Sequence, residues 1–356
     1  VVPNAAEELL KARDAQGGGA FEPRETTVRV VVVPSSLSAS AELNGSTGPG
    51  RILVTGGCGF IGRGVVRAFV DRGTPVTVAD RDELPPQLRG ELVTHVRGDL
   101  ADPQVREAAV PPGTTGIVHL AAITSVLRSV DKPAETYEQN VGITHGLLEL
   151  ARQHEVGQFV LASTNAVVGD VGRDTITEQH PPRPLTPYGA TKAACEMLLS
   201  GYAGSYGLRA TALRFTNVYG PGMSAKDSFV PRLMRAALAG QGVEVYGDGS
   251  QARDFVHLDD VVQAIVAAVD KEYTGTAVIG AGRSYSVLEL IDSVREATGV
   301  DVPVTHVPAK SGEMPAVIVE IARAQRELGY APTVGLTDGL RTVWNDFRAA
   351  AGVPAT

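Results

Sequence analysis

From Arg51 onward, short apolar runs alternate with longer amphipathic stretches. Ile52 to Thr55, Val76 to Ala79, Gly116 to Leu120, Gln158 to Ala162 and Arg209 to Arg214 read as strands. Gly62 to Arg72, Tyr137 to His154 and Pro187 to Tyr206 read as helices between or after them. Strands spaced by helices imply right-handed βαβ crossovers and a parallel sheet covered on both faces. After Gly220 the regularity weakens, and glycine and proline cluster around Gly247-Asp248-Gly249 and from Pro303 to Pro315. The pattern therefore predicts an α/β chain, a doubly wound parallel sheet with a smaller C-terminal lobe at its carboxyl edge. The sheet domain takes residues 51–215, with a later return of the chain at about 255–282. The lobe takes 216–254 and 283–350.

Residues 1–50 have a different texture. Ala5 to Arg13 reads as two turns of helix and Thr26 to Val33 as a strand. The Gly17-Gly18-Gly19 run and the Ser/Gly-rich stretch from Ser35 to Gly50 read as linker. This extension is either a tail packed loosely on the surface, or an extra strand or a contact with a neighbouring subunit. No chemistry is assigned to it.

The 356 residues allow two domains, or one large domain with a cap, and a 43% hydrophobic composition is ample for a core. The net charge of −8 argues against a nucleic-acid binder that relies on a basic face. Two cysteines, Cys58 and Cys195, make neither a disulfide framework nor a cysteine-based zinc site, so a reducing cytoplasm is the expected compartment. No apolar run approaches the ~18 residues of a membrane helix, and the run Val30 to Val33 is ended by Pro34, too short for the apolar core of a secretory signal.

The first strand runs into Thr55-Gly56-Gly57-Cys58-Gly59-Phe60-Ile61-Gly62 and then a helix. Glycines 56, 59 and 62, with Phe60 and Ile61 between them, suit a tight turn, close backbone approach to a pyrophosphate and close helix–strand packing. A structural turn gives the same letters, but the position between strand and helix selects a dinucleotide. Asp80 closes the second strand 18 residues past Gly62. A carboxylate there accepts from ribose hydroxyls and repels a 2′-phosphate, so NAD is expected over NADP, although Arg81 beside it works the other way. In Gly98-Asp99-Leu100, Asp99 is either a turn aspartate or a contact to the adenine amine.

Tyr188-Gly189-Ala190-Thr191-Lys192 opens a helix, with Thr186 as N-cap and Pro187 at the first position. Tyrosine and lysine four apart share one helix face. A free phenol has a pKa near ~10. A lysine ammonium and a positive nicotinamide ring are both expected to stabilise the phenolate. Ser163-Thr164-Asn165 ends the strand from Gln158, at the sheet edge where open α/β folds bind ligands. A hydroxyl there can hold a substrate oxygen while Tyr188 takes its proton. The same letters also make a strand-end turn.

In this combination the residues resemble the extended short-chain dehydrogenase/reductases, in the nucleotide-sugar epimerase/dehydratase branch. The resemblance covers about Arg51 to Phe347. It also includes His119-Leu120-Ala121-Ala122, Asn140, Arg214-Phe215-Thr216-Asn217-Val218-Tyr219-Gly220, Gly247-Asp248-Gly249, Arg253-Asp254-Phe255-Val256-His257 and Gly280-Ala281-Gly282. It implies a Rossmann fold that binds NAD through Gly56, Gly59, Phe60, Ile61, Gly62, Asp80, Asp99, Leu100 and Leu120 to Ala122. Asn140 is implied to bind the cofactor as well and to support the active-site helices. Ser163, Thr164, Tyr188 and Lys192 are implied as catalytic, Thr164 at the sugar O4, Tyr188 as base and Lys192 on the nicotinamide ribose. The substrate side is implied at Thr124, Ser125, Asn217, Ser228, Phe229, Tyr246, Arg253 and Glu313. Val317 is expected to border the C2 substituent of the sugar and, being small, to admit N-acetylated sugars. Its other reading is plain core packing.

Three departures from the family pattern stand out. Val168 replaces a tyrosine before Gly169, Lys310 stands where a second diphosphate arginine is common, and Asn165-Ala166 occupies the place of the acid pair of 4,6-dehydratases. The implied activity is NAD-dependent C4 epimerisation of a nucleotide-activated hexose, of the UDP-glucose/UDP-galactose type, by a homodimer. The alternatives are a 4-ketoreductase or a dehydratase/decarboxylase of the same fold, and more distantly a non-catalytic dinucleotide-binding protein.

Overall fold

The computed structural model describes residues 30–31, 50–309 and 314–353. The expected helix 5–13, the linker up to residue 49, Lys310 and Glu313 lie outside the described residues. The strands, in chain order, are β1 (Val30–Val31), β2 (Arg51–Thr55), β3 (Val76–Asp80), β4 (Val93–Arg97), β5 (Thr114–His119), β6 (Gln158–Thr164), β7 (Thr175–Ile176) and β8 (Arg209–Phe215). They continue as β9 (Asn217–Tyr219), β10 (Val243–Tyr246), β11 (Ala252–His257), β12 (Gly275–Ile279), β13 (Ser284–Ser286), β14 (Val304–Val307) and β15 (Ala316–Val319).

The main sheet runs β1-β4-β3-β2-β5-β6-β8-β12. Every pair in it is parallel except β1 with β4, where Val30 faces Val96 and Val31 faces His95. The pair covers an edge that would otherwise present open backbone groups. The strand order reverses at β2, so a crevice opens between the carboxyl ends of β2 and β5. Register brings Thr55 level with Ala79 and His119, and Thr164 level with Phe215.

Burial on both faces follows from alternation along each strand. Ile52 and Val54 pack on one side with the helices Phe60–Val70 and Leu258–Asp270. Leu53, Phe159 and Leu161 pack on the other, beneath Ile143–Gln153 and Pro187–Tyr206. A third apolar cluster, with Leu233, Met234, Leu290, Ile291 and Trp344, fills the lobe. There β11 joins β13, β15 and β9, while β10 pairs with β14. The expected helix 137–154 is built differently. The chain is helical from Pro133, passes through a wider π turn at Glu138–Gly142, and continues as Ile143–Gln153. The π turn holds Asn140, which is 1% exposed. No helix among the described residues is long and apolar enough to cross a membrane.

His119 pins the end of β5. Thr144 donates its hydroxyl to Asn140 O at 2.6 Å, so it accepts from His119 Nε2 at 3.1 Å. Thr55 Oγ1 accepts from the backbone of Leu120 and Ala121 and donates to His119 Nδ1 at 2.7 Å. The network thus selects the Nε2–H tautomer. Burial, and then the charge of Lys192, push this imidazole down to about 3. Above pH ~6.5 it is neutral in both folded and unfolded chains. Below that value only the unfolded chain takes the proton, so stability falls with pH by about 1.4 kcal/mol per unit from this group. Urea unfolding between pH 7 and 4 is expected to show this slope, reduced by about one proton in His119→Gln.

Candidate active site

The glycine loop closes β2 onto the helix Phe60–Val70. Gly56 has φ +67°, and a Cβ there would lie 2.9 Å from Ala121 N. A Cβ on Gly62 would strike Gly56 O and lie 2.6 Å from Gly57 Cα. The helix begins at Gly59 with no side-chain cap, so its first N–H groups face the cleft. Asp80 ends β3 and accepts Cys58 N at 2.9 Å and Asp82 N at 3.0 Å. A carboxylate has about four acceptor sites, which leaves room for a ribose. Burial, then the charges of Asp80 and Asp82, push the Cys58 thiol up to about 12, so it is inert there.

One cavity of 320 Å³ runs along the carboxyl edge of the sheet. Gly56, Gly59, Phe60, Ile61 and Gly62 line its middle, Asp80, Asp99 and Leu100 one end, and Leu120, Ala121 and Ala122 its wall. Ser163, Thr164, Tyr188 and Lys192 line the other end. Arg81 lies 3.6 Å from the Asp99 carboxylate, which offsets the basic charge beside Asp80. An open helix start, a floor that tolerates no side chain and an acid at the ribose position fit NAD.

Thr186 caps the helix Pro187–Tyr206 by accepting from Gly189 N, as its sequence predicts. The helix start comes so close to the end of β6 that a Cβ on Gly189 would lie 2.6 Å from Ala166 O. That approach brings Tyr188 beside Thr164 at one end of the same cavity. Lys192 is 3% exposed and donates from Nζ to Ala162 O at 2.8 Å. Contrary to expectation, these residues alone do not lower the phenol. Burial pushes Tyr188 up to about 12, eased only by Thr164, and burial also holds Lys192 below its usual range.

A second, larger cavity of 1020 Å³ lies between the sheet edge and the lobe. Thr124, Ser125, Asn217, Ser228, Phe229, Tyr246 and Arg253 all line it. Asn217 Nδ2 donates to Asp254 O at 2.9 Å, and Arg253 donates to Ala252 O at 2.8 Å and Met314 O at 2.9 Å. Asp227 on this wall is paired with Arg232 at 2.7 Å.

Two expected site residues sit elsewhere. Val317 is 2% exposed, lies opposite Arg253 in β15 and packs in the apolar cluster with Ile176 and Val256. It lines neither of these two cavities, which supports its other reading, plain core packing. Its place in a strand buried on both sides turns the side chain into the core. Asn140 also lines neither cavity. Its amide accepts from Ile123 N and donates to Ile123 O and Thr191 Oγ1, which braces the helices rather than contacting cofactor. Sequence reasoning missed Lys226, which lines both cavities and holds its ammonium 4.7 Å from the Phe60 ring centroid. No motif marks it, because only the fold brings that loop to the seam. It also missed Glu196, whose place four residues past Lys192 was a usable signal.

The model for the NAD dependent epimerase/dehydratase family matches residues 52–282. A dTDP-glucose 4,6-dehydratase from Streptomyces griseus is 34% identical over 86% of this chain and 99% of its own length. Among solved structures, a UDP-glucose 4-epimerase from Thermotoga maritima with UDP-glucose is 32% identical with a TM-score of 0.79, covering 85% of this chain and 99% of that one. A UDP-glucose 4-epimerase from Thermus thermophilus in complex with NAD is 34% identical with a TM-score of 0.77, covering 84% and 99%. With its glycine cradle, its tyrosine–lysine helix and this match over most of its length, the chain belongs to the NAD dependent epimerase/dehydratase family, and its cofactor is NAD.

Proposed function

We propose that this chain epimerises a nucleotide-activated hexose at C4 through a 4-keto sugar, with UDP-glucose and UDP-galactose the favoured pair. The observation that carries this reading is the pair of residues after Thr164. Asn165 and Ala166 offer an amide and a methyl, whereas dehydration needs an acid for the leaving hydroxyl and a base for the C5 proton. The Tyr188 end of the smaller cavity is lined by hydroxyls, apolar groups and lysines, with no carboxylate among its described lining residues.

NAD, when bound, supplies the acceptor and donor of hydride. Thr164 holds the sugar O4, Tyr188 removes its proton and later returns it, and Lys192 holds the nicotinamide ribose. Asn217 and Arg253 hold the diphosphate, a task suited to a guanidinium. Tyr246 flanks the base, while Thr124, Ser125, Ser228 and Phe229 border the rest of the substrate. Asp80 takes the adenosine ribose. Because its carboxylate also holds Cys58 N–H, Asp80→Ala is expected to weaken NAD about tenfold in a binding titration. Co-purification of NADP instead would refute that assignment.

Tyr137, Met197 and Tyr206 expose apolar side chains at 58%, 57% and 58% on the helices Pro133–Tyr137 and Pro187–Tyr206. A second copy of the chain covering them makes the homodimer we expect, and a monomer in sedimentation at micromolar concentration would contradict it. The function itself is tested by incubating the protein with UDP- and dTDP-sugars and recording product mass and C4 configuration. Unchanged mass with inverted C4 supports epimerisation. Loss of water, loss of carbon dioxide or stoichiometric consumption of cofactor would each replace it with the corresponding reaction.

A further inference from the structure

We propose that Ser163 accepts a hydrogen bond from the nicotinamide riboside end of NAD, and that Glu196 is the positioning residue that gives Ser163 this single polarity. Ser163 is 3% exposed, yet it lines the dinucleotide cavity and not the larger cavity beside the lobe. Its hydroxyl donates to Glu196 Oε1 at 2.5 Å. Glu196 is 5% exposed and forked by Arg214, with Nε at 3.0 Å from Oε1 and Nη2 at 2.7 Å from Oε2. Ser163 and Arg214 are register partners on β6 and β8, so one carboxylate from the helix above ties both strand ends together.

A serine hydroxyl carries one hydrogen, and here the carboxylate holds it. What remains toward the cavity is lone pairs, so the partner must be a donor. At this end NAD carries two kinds, the carboxamide amine and the ribose hydroxyls. Sugar hydroxyls are donors as well, so the test reads NAD affinity with no sugar present; with its one proton held by Glu196, Ser163 itself is removed from proton donation.

A brace alone does not call for this chemistry. Two buried charges pay a desolvation penalty that an apolar pair of similar volume avoids. Arg214 Nη1, moreover, is buried without a partner among the described residues. An apolar pair would pack as well, but it would not accept the serine proton.

The test measures NAD affinity by calorimetric titration of the nucleotide-free full chain, so it does not depend on which sugar is turned over. Two double variants separate packing from polarity. Glu196→Leu with Arg214→Met removes both charges and the acceptor. Glu196→Gln with Arg214→Met removes both charges and keeps an acceptor oxygen for Ser163. The first is expected to bind NAD about fivefold to tenfold more weakly than the second, with similar melting temperatures. Ser163→Ala leaves the ion pair intact and is expected to show the same loss. With 3-acetylpyridine adenine dinucleotide, which lacks the amide N–H, the Ser163→Ala loss disappears if the donor is the carboxamide and persists if it is a ribose hydroxyl. Equal affinity of the two double variants, or wild-type affinity in Ser163→Ala, overturns the proposal. If the double variants fail to fold, Ser163→Ala alone decides it.

Discussion

Tyr188→Phe should lower turnover by about 10²–10⁴-fold while NAD stays bound, since it removes a general base and almost no volume. On the transition-state scale that is roughly 3–5 kcal/mol. The geometry explains why no neighbour can substitute. Thr164 is a neutral hydroxyl beside the phenol, Ser163 has its proton held by Glu196, and the Lys192 ammonium faces Ala162 O. Burial pushes the phenol up to about 12. Proton removal by Tyr188 needs the phenolate, so the wild-type rate should rise with pH through the neutral range, and that limb should vanish in the phenylalanine variant. Single-turnover assays across pH, with bound NAD quantified after each run, check both points. Near-normal turnover in Tyr188→Phe would move the base elsewhere.

The parts of the fold that sequence made legible are those set by local periodicity. β2, β3, β5, β6 and β8 fall on the expected apolar runs, and the glycine loop and the Tyr188 helix begin where turn and cap chemistry put them. What sequence did not show depends on contacts far along the chain. β12 reads as five ordinary residues, Gly275–Ile279, and becomes a sheet strand only because β8 lies beside it. The π turn at Asn140 is drawn by Ile123 and Thr191, neither of them a sequence neighbour. Val317 shows the limit from the other side. A position counted from Glu313 placed it by the substrate, but β15 is packed on both faces, with Ala316 and Val319 buried beside it, and Val317 lies in the core. The phenol was misjudged for a related reason: spacing on a helix puts Lys192 near Tyr188, while the desolvation that dominates arises from the packed fold.

The other large effect is expected from a single methyl group. In Gly62→Ala the new Cβ would meet backbone, at Gly56 O and at 2.6 Å from Gly57 Cα, where no side chain can swing aside. Either the helix Phe60–Val70 moves off β2 or the loop between them opens. Both spoil the surface that places N–H groups against the pyrophosphate. Overpacking of this kind costs roughly 1–3 kcal/mol, and contact with rigid backbone puts it at the upper end. NAD binding should therefore weaken by about 100-fold, with a lower melting temperature even without NAD. Gly59→Ala makes the comparison internal. Its Cβ would stand 3.1 Å from the same Gly56 carbonyl, a contact that a few tenths of an ångström relieve. Its loss of affinity should be about tenfold or less. Titration of NAD into both variants, beside their melting curves, tests the order. If Gly62→Ala bound NAD within twofold of wild type at an unchanged melting temperature, the close approach of helix and strand would not be what shapes the cofactor site.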